Sequence, residues 1–193
     1  METATTRRRR YNVDDYYGLL ETGVLTEDDR VELIEGEILP MSPIGIRHGL
    51  AVRSLGHRLT LLLQERAVLS VQSPLRLDDW SEPEPDIVVL PGPIERLTES
   101  HPAATDALLV IEVADTTVRH DRGRKLPLYA RFGVPEVWLV VLRRSLVEVY
   151  RGPESGRYAS KTILGRGQSL SPLAFPDVTL SVDEILGPPV HTP

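Results

Sequence analysis

The sequence contains no cysteine among its 193 residues. This absence excludes disulfides, thiolate metal ligands and a cysteine nucleophile, and it favours oxygen ligands for any bound metal. Aromatic residues are also scarce, at 5%, whereas hydrophobic residues make up 41% and charged residues 26%, which is a normal globular mixture. The length predicts one domain, residues 11–193, preceded by a flexible basic arm, residues 1–10.

Long hydrophobic runs are missing as well. No apolar stretch approaches the ~18 residues that span a bilayer. The four arginines at 7–10 are followed by polar residues rather than by an apolar signal core. We therefore expect a cytoplasmic protein without membrane contacts, whose arm is either a solvated tail or a segment that contacts a polyanion.

Lysine is rare: of the 22 basic residues, only Lys125 and Lys161 are lysines, and the others are arginines. The net charge of −6 excludes a protein that is basic throughout. Basic residues nevertheless concentrate in 1–10 and 118–131, which gives an otherwise acidic chain two local contacts for a polyanion. Neither the dinucleotide-binding Gly-x-Gly-x-x-Gly pattern after a strand nor a Walker phosphate loop is present.

The hydrophobic periodicity predicts an α/β or α+β fold with a central mixed β-sheet flanked by helices. Helices are predicted over 13–20, from residue 50 onward, and from Thr116 or Thr117 to about 132, where Pro127 implies a kink or a late start. An N-terminal β-hairpin over 30–41 should turn at Glu35-Gly36. Further strands are predicted over 67–77, 86–90, 107–113, 136–142, 145–150 and 158–163, with C-terminal segments at 170–175 and a turn at 182–186.

Two carboxylates occupy unusual places in the predicted strands. Glu112 is the one polar residue in the apolar run 108–113, where a lone carboxylate is costly unless it is paired or binds a cation. A buried ion pair with an arginine, or a position at the strand end that reaches solvent, would also explain it. Asp86 follows Pro85 at the mouth of a short apolar strand, where a turn-forming aspartate is the ordinary interpretation.

Lys125 stands out against the arginine-rich background. A lysine at this place in the predicted third helix suggests a compact or titratable charge rather than a planar guanidinium, although chance placement is the alternative. Asp86 and Glu112, from consecutive strands, can meet at one end of the sheet, within reach of Lys125. Two carboxylates with waters and phosphates suffice to hold Mg²⁺, and an added amine suits phosphodiester hydrolysis.

These residues, in this order, resemble the PD-(D/E)XK phosphodiesterase superfamily, which has the restriction-endonuclease-like fold. More specifically, the chain looks like the Uma-two family of restriction endonucleases over most of its length, from about residue 11 to residue 186. The stretches that carry the resemblance are VELIEGEI (31–38), SPIGIRHG (42–49), VQSPLRLDDWSEPEPDIVVL (71–90), LLVIEVADTT (108–117) and DRGRKLPLYARFGVPEVWLV (121–140).

The resemblance implies that Asp86 and Glu112 bind a divalent cation, Mg²⁺ or Mn²⁺, and that Lys125 is the catalytic lysine. Glu32 would be an additional acid from the hairpin, and His48 would contact a phosphate or cap the long helix. The chain departs from the usual superfamily pattern at Ala114, where a lysine commonly stands two residues after the second acid. It also ends its Trp138 strand with two valines, where relatives often have Val-Asp.

The leading hypothesis is therefore a metal-dependent endonuclease that hydrolyses DNA. Arg119, Arg122 and Arg124 are expected to bind the DNA, with modest and salt-sensitive affinity. A homodimer, which the resemblance suggests, would let two sites act on two strands. The alternatives are a non-catalytic module that binds nucleic acid or protein on the same fold, and a structural protein whose apolar strands form an interface.

Overall fold

The computed structural model describes residues 9–26, 28–96 and 100–187. Most of the predicted arm, residues 1–8, lies outside the described residues. The α-helices within these ranges are α1 (Val13–Glu21), α2 (Ile46–Leu63), α3 (Val118–His120), α4 (Leu126–Arg131) and α5 (Val182–Leu186). The strands are β1 (Val31–Ile34), β2 (Glu37–Pro40), β3 (Ala67–Val71), β4 (Ile87–Pro91), β5 (Leu109–Ala114), β6 (Glu136–Val141), β7 (Leu146–Glu154), β8 (Arg157–Gly165), β9 (Ser169–Leu170) and β10 (Leu180–Ser181).

A six-stranded sheet in the order β3-β4-β5-β6-β7-β8 forms the centre of the fold. β5 and β6 run parallel, and every other neighbouring pair is antiparallel. The predicted mixed sheet with flanking helices is therefore confirmed. β1 and β2 form the predicted hairpin, separate from this sheet, and its turn residues Glu35 and Gly36 both have positive φ, as a two-residue type I′ turn requires.

Side chains alternate between the two faces of the sheet, and each face has its own core. Helix α2 packs Leu55, Leu59 and Leu63 against the face that contains Ile111 of β5. Helix α4 packs Leu128 and Tyr129 against the opposite face. Because neighbouring residues of a strand point to opposite faces, Glu112 lies on the face covered by α4.

The predicted third helix is interrupted by a π-helical turn over Asp121–Lys125, between α3 and α4. The backbone N–H of Leu126 donates to the carbonyl of Asp121, five residues earlier. Pro127 therefore falls in the first turn of α4, where its missing N–H costs nothing. The helical segment begins at Val118, directly after Thr117, so the late start that Pro127 implied is not observed.

Several predicted boundaries were wrong for local reasons. Helix α2 begins at Ile46 rather than at residue 50. The apolar pattern did not indicate this start, because Ile46 is 89% exposed and does not contribute to the buried face. Strand β3 ends at Val71 rather than at residue 77, since Gln72 takes a left-handed φ of 46°. The C-terminal segment 170–175 contributes only Leu170 to a strand, and the predicted final turn is helix α5.

Candidate active site

A cavity of about 740 Å³ lies at the edge of the sheet where β4 begins and β5 ends. Ile87 of β4 pairs with Ile111 of antiparallel β5, so the residue before β4 lies beside the end of β5. The hairpin, the start of α2 and the π-helical turn supply the other walls. The cavity is lined by six of the eight residues predicted from the sequence, namely Glu32, His48, Asp86, Glu112, Arg119 and Lys125.

Lys125 joins two carboxylates from different parts of the chain. Its Nζ lies 2.9 Å from Oε2 of Glu32 and 3.3 Å from Oε1 of Glu112, and the residue is only 5% exposed. The arginine partner considered for Glu112 is thus not observed, because a lysine and the hydroxyl of Tyr129 take that place. Tyr129 donates to Glu112 Oε1 at 2.7 Å.

The two carboxylates that contact Lys125 have opposite pKa shifts. Burial raises the pKa of Glu112 to about 8, helped by the charges of Asp121 and Asp86 and opposed by Lys125. Burial also acts on Glu32, but a hydrogen bond from His120 and the charge of Lys125 outweigh it and lower the pKa of Glu32. Glu32 is therefore the more acidic of the two carboxyl groups that contact Lys125, whereas Glu112 gives up its proton only at a higher pH.

Lys125 itself stays protonated throughout the ordinary pH range. Burial alone would lower the pKa of this amine, but the neighbouring Glu112 and Glu32 raise it above its usual value. The ammonium group therefore carries a permanent positive charge in the wall of the cavity. It can stabilise a nearby negative charge, but it cannot act as a base.

Asp86 is held at the mouth of β4 by three donors. The backbone N–H of Val113 donates to Asp86 Oδ2 at 2.8 Å, which ties the carboxylate to the residue directly after Glu112. Gln72 donates to Asp86 Oδ1 at 3.3 Å, and His48 Nε2 lies 3.0 Å from Asp86 Oδ2. Asp86 and Glu112 are thus neighbours at one edge of the sheet.

His48 belongs to the first turn of α2, but it does not cap the helix. The N-cap is Gly45, and no side chain caps this end. The hydrogen bond with Asp86 raises the pKa of His48. Its other ring nitrogen, Nδ1, is buried and has no hydrogen-bond partner among the described residues.

The three predicted DNA-binding arginines have different surroundings. Arg119 is exposed on α3 and lines the cavity. Arg122 Nε donates to Glu148 at 2.9 Å, and Arg124 donates to Glu37 at 2.8 Å. The structure therefore brings Arg119 to the cavity, whereas Arg122 and Arg124 form ion pairs and do not line it.

Sequence reasoning missed several residues that surround the predicted ones. Tyr129 follows Lys125 by one helical turn, a spacing that places both on one side of a helix and could have indicated it. Asp121 lines the cavity, accepts a hydrogen bond from Thr117 Oγ1 at 2.8 Å, and has a pKa raised by burial. His120, 3.4 Å from Glu32, and Gln72 carry no signal that the sequence alone reveals.

The donor chemistry of the cavity fits a hard divalent cation. Among the described residues, one lysine, two arginines and two histidines line it. Six carboxylates also do so, namely Glu32, Glu84, Asp86, Glu112, Asp115 and Asp121. Tyr129 and Lys125 both contact Glu112 at Oε1, and Oε2 forms no hydrogen bond or ion pair among the described residues. Within those residues, no three acidic or histidine side chains are close enough to enclose a metal by themselves. Mg²⁺ needs only one or two carboxylates, because waters and phosphates complete its shell.

Comparison with known proteins identifies the family. Residues 13–183 match the model of the Uma2 family, described as "Putative restriction endonuclease", so the chain belongs to this family. The Uma-two resemblance is thereby confirmed. A search of curated proteins finds no match.

A solved structure supports the fold. The crystal structure of a putative nuclease belonging to DUF820 from Anabaena variabilis ATCC 29413 is similar, with a TM-score of 0.70 and 18% sequence identity. The match covers 91% of this chain and 97% of the other. The restriction-endonuclease-like architecture expected from the sequence is thus confirmed. No helix in the described part of the chain is long and apolar enough to cross a membrane.

Proposed function

We propose that this protein is a metal-dependent endonuclease that hydrolyses phosphodiester bonds of DNA. The observation that carries the proposal is the contact of Lys125 with Glu112, beside Asp86, at the edge of the sheet where β4 begins and β5 ends. This places two carboxylates and a permanent cation at one end of a cavity that is open to a substrate. Membership of a restriction endonuclease family supports the same activity.

Asp86 and Glu112 would hold Mg²⁺ or Mn²⁺. Asp86 is oriented by the Val113 N–H, and Tyr129 and Lys125 both contact Glu112 Oε1, which leaves Oε2 available as a ligand. Bound here, the cation would polarise the phosphate and lower the pKa of an attacking water. Binding would require Glu112 to lose its proton, since a ligating carboxylate must be ionised.

Lys125 would stabilise the negative charge that develops on the attacked phosphate. It is suited to this task because burial strengthens its electrostatic interactions and Glu32 holds it in place without the need for reorganisation. Glu32 is then a positioning residue for Lys125, and His48 orients Asp86. In the reaction, a water oxygen bonds to phosphorus and releases one proton to solvent, the bond to the leaving sugar oxygen breaks, and that oxygen takes up a proton from solvent.

Cleavage of supercoiled plasmid and short duplex DNA, with and without Mg²⁺ or Mn²⁺, tests the proposal. Asp86→Asn and Glu112→Gln should each abolish cleavage while the thermal unfolding transition is retained. Glu154→Gln, at an exposed acid outside the cavity, is the control and should cut at the wild-type rate. Failure of the wild type to cut DNA with either ion would contradict the enzyme and favour the non-catalytic module.

A further inference from the structure

A second cavity of about 530 Å³ adjoins the first and is lined by arginines. Its lining includes Arg119, Arg122, Arg143 and Arg144, which together we call the arginine groove. Asp115 is the one acidic residue among the described residues of the lining. The groove shares Asp115, Thr116 and Arg119 with the candidate active site, so these residues form a common wall between the two cavities.

The topology of the sheet explains why the two cavities adjoin. β5 and β6 are parallel, and Ala114 pairs with Val141 at their carboxyl ends. The residues that follow β5 therefore emerge beside the short helical turn that follows β6 and carries Arg143 and Arg144. Glu112 lies two residues before the end of β5, so the same edge of the sheet bears both the acidic cavity and the arginines.

Most of the arginines in the groove are available to a ligand. Arg119 and Arg144 are exposed and form no hydrogen bond or ion pair within the described part of the chain. Arg143 contacts Asp115 at 3.2 Å, but its side chain is 65% exposed, and an ion pair in solvent contributes little and exchanges readily. Arg122 differs, because Glu148 fixes its guanidinium in the wall.

The lining indicates which part of a nucleic acid would fit. Guanidinium groups bind phosphate through paired charge-assisted hydrogen bonds. None of the described residues that line the groove is aromatic, so the groove offers no platform on which a base could stack. Contacts to phosphates alone provide affinity without reading the sequence.

We propose that the arginine groove binds phosphates of the DNA strand next to the phosphate that is cleaved. This inference rests on the proposed function, and it extends that function by assigning the path of the substrate away from the acidic cavity. It adds Arg143 and Arg144 to the contacts expected from the sequence, and it leaves out Arg124, which is paired with Glu37 and lines neither cavity.

The test compares two double variants that each remove two positive charges. Arg143→Gln/Arg144→Gln changes the groove. Arg66→Gln/Arg157→Gln is the matched control, because Arg66 also forms an exposed ion pair, with Asp177. Both control residues lie at the opposite edge of the sheet, since Ala67 beside Arg66 pairs with Pro91 at the end of β4, and Arg157 pairs with Glu154 at the far end of β7.

Binding of a fluorescein-labelled 30-base-pair duplex is measured by anisotropy in EDTA over a range of salt concentrations, so that no cleavage occurs. The groove variant should bind about tenfold more weakly at low salt, and the slope of log affinity against log salt should fall by about two. The control should match the wild type. A plasmid cleavage assay with Mn²⁺ runs in parallel on all three proteins.

The outcomes separate the groove from the nuclease activity. Loss of affinity and slope in the groove variant alone supports the groove, even if the wild type cuts no DNA and the proposed function fails. Equal losses in both double variants, unchanged binding by the groove variant, or no DNA binding by the wild type would each overturn the groove. An active wild type with a fully binding groove variant would leave the nuclease proposal intact.

Discussion

The two lysines of the chain belong to two clusters that have similar residue types and differ in their electrostatics. Lys125 contacts Glu32 and Glu112 inside the protein. Lys161, exposed on β8, contacts the buried Glu148 of β7 at 2.9 Å. In each cluster, a buried glutamate accepts hydrogen bonds from a tyrosine and faces a lysine.

The two glutamates are both buried, and they differ in the balance of charge around them. Glu148 has three donors, Arg122, Tyr150 and Lys161, which overcome the effect of burial and lower its pKa. Glu112 shares its lysine with Glu32 and lies near the charges of Asp121 and Asp86, and burial raises its pKa to about 8. The positive charges around Glu148 balance its carboxylate, as in an ion-pair network that holds strands together. The excess of negative charge around Glu112 is typical of a functional site that binds a cation.

The largest effect on the DNA cleavage rate is expected from replacing one of the two lysines with methionine. Lys125→Met should reduce the DNA cleavage rate by about 10²–10³-fold, because a preorganised charge at the phosphate is lost. Lys161→Met removes the same charge from the cluster around Glu148 and should cut at nearly the wild-type rate. Initial rates of plasmid nicking, with circular dichroism to verify folding, measure both. Equal rates in the two variants would remove the distinction between the clusters.

The two glutamates should separate metal binding from stability. Glu112→Gln should abolish Mn²⁺ binding measured by calorimetry. It should cost little stability at pH 7, because the amide resembles the protonated carboxyl that the raised pKa favours. Glu148→Gln should keep Mn²⁺ binding but lower the free energy of unfolding by about 1–3 kcal/mol, since charged donors lose their acceptor. Urea denaturation provides the second measurement, and the reverse pattern would contradict the assignment.

The raised pKa of Glu112 predicts a pH dependence of two kinds. Without metal, the contribution of Glu112 to stability is fully present below its ordinary pKa of 4.5 and is lost as pH rises through about 8. Mn²⁺ must displace the proton, so its affinity should increase by about tenfold per pH unit up to that value. Urea denaturation and calorimetry from pH 5 to pH 9 test both trends. Glu112→Gln should abolish the decline in stability, and persistence of that decline would assign it to another group.

The smallest effect on the cleavage rate is expected from replacing the tyrosine of each cluster. Tyr129→Phe removes the hydrogen bond to Glu112, which should raise the pKa of Glu112 further and move the rising limb of the cleavage profile to higher pH. We expect a loss of about tenfold or less at pH 7 and recovery at high pH. Tyr150→Phe removes the matching hydrogen bond to Glu148, 2.6 Å long, and should leave the pH profile unchanged. An unshifted profile in Tyr129→Phe would limit this residue to packing.

Much of the fold could be predicted from the sequence because local patterns dominate it. The buried strands around Glu112 and Trp138 are short apolar runs, and the hairpin turn at Glu35-Gly36 follows from backbone preferences. Boundaries were less predictable where exposure or an unusual backbone interrupts the pattern, as at Ile46 and Gln72. The π-helical turn before Leu126 carries no periodic signal of its own.

The candidate site was predictable in part for a different reason. Glu112 is a carboxylate inside an apolar strand, and Lys125 is a lysine in an arginine-rich chain. Both are unusual for their surroundings in the sequence, so they could be recognised without a structure. Their partners are ordinary residues. Gln72, His120 and Tyr129 are unremarkable in sequence and become relevant only through contacts with residues far along the chain.

The sequence by itself determined the class of fold, membership of the Uma2 family and the acids and lysine with which a catalytic hypothesis could be built. Only the tertiary structure decided that Glu32 of the hairpin shares Lys125 with Glu112, and that Arg122 and Arg124 are paired while Arg143 and Arg144 adjoin the cavity. The physical reason is that strand order and register bring together residues far apart in the chain. Charge balance and burial, which set the pKa of Glu112, exist only after that assembly.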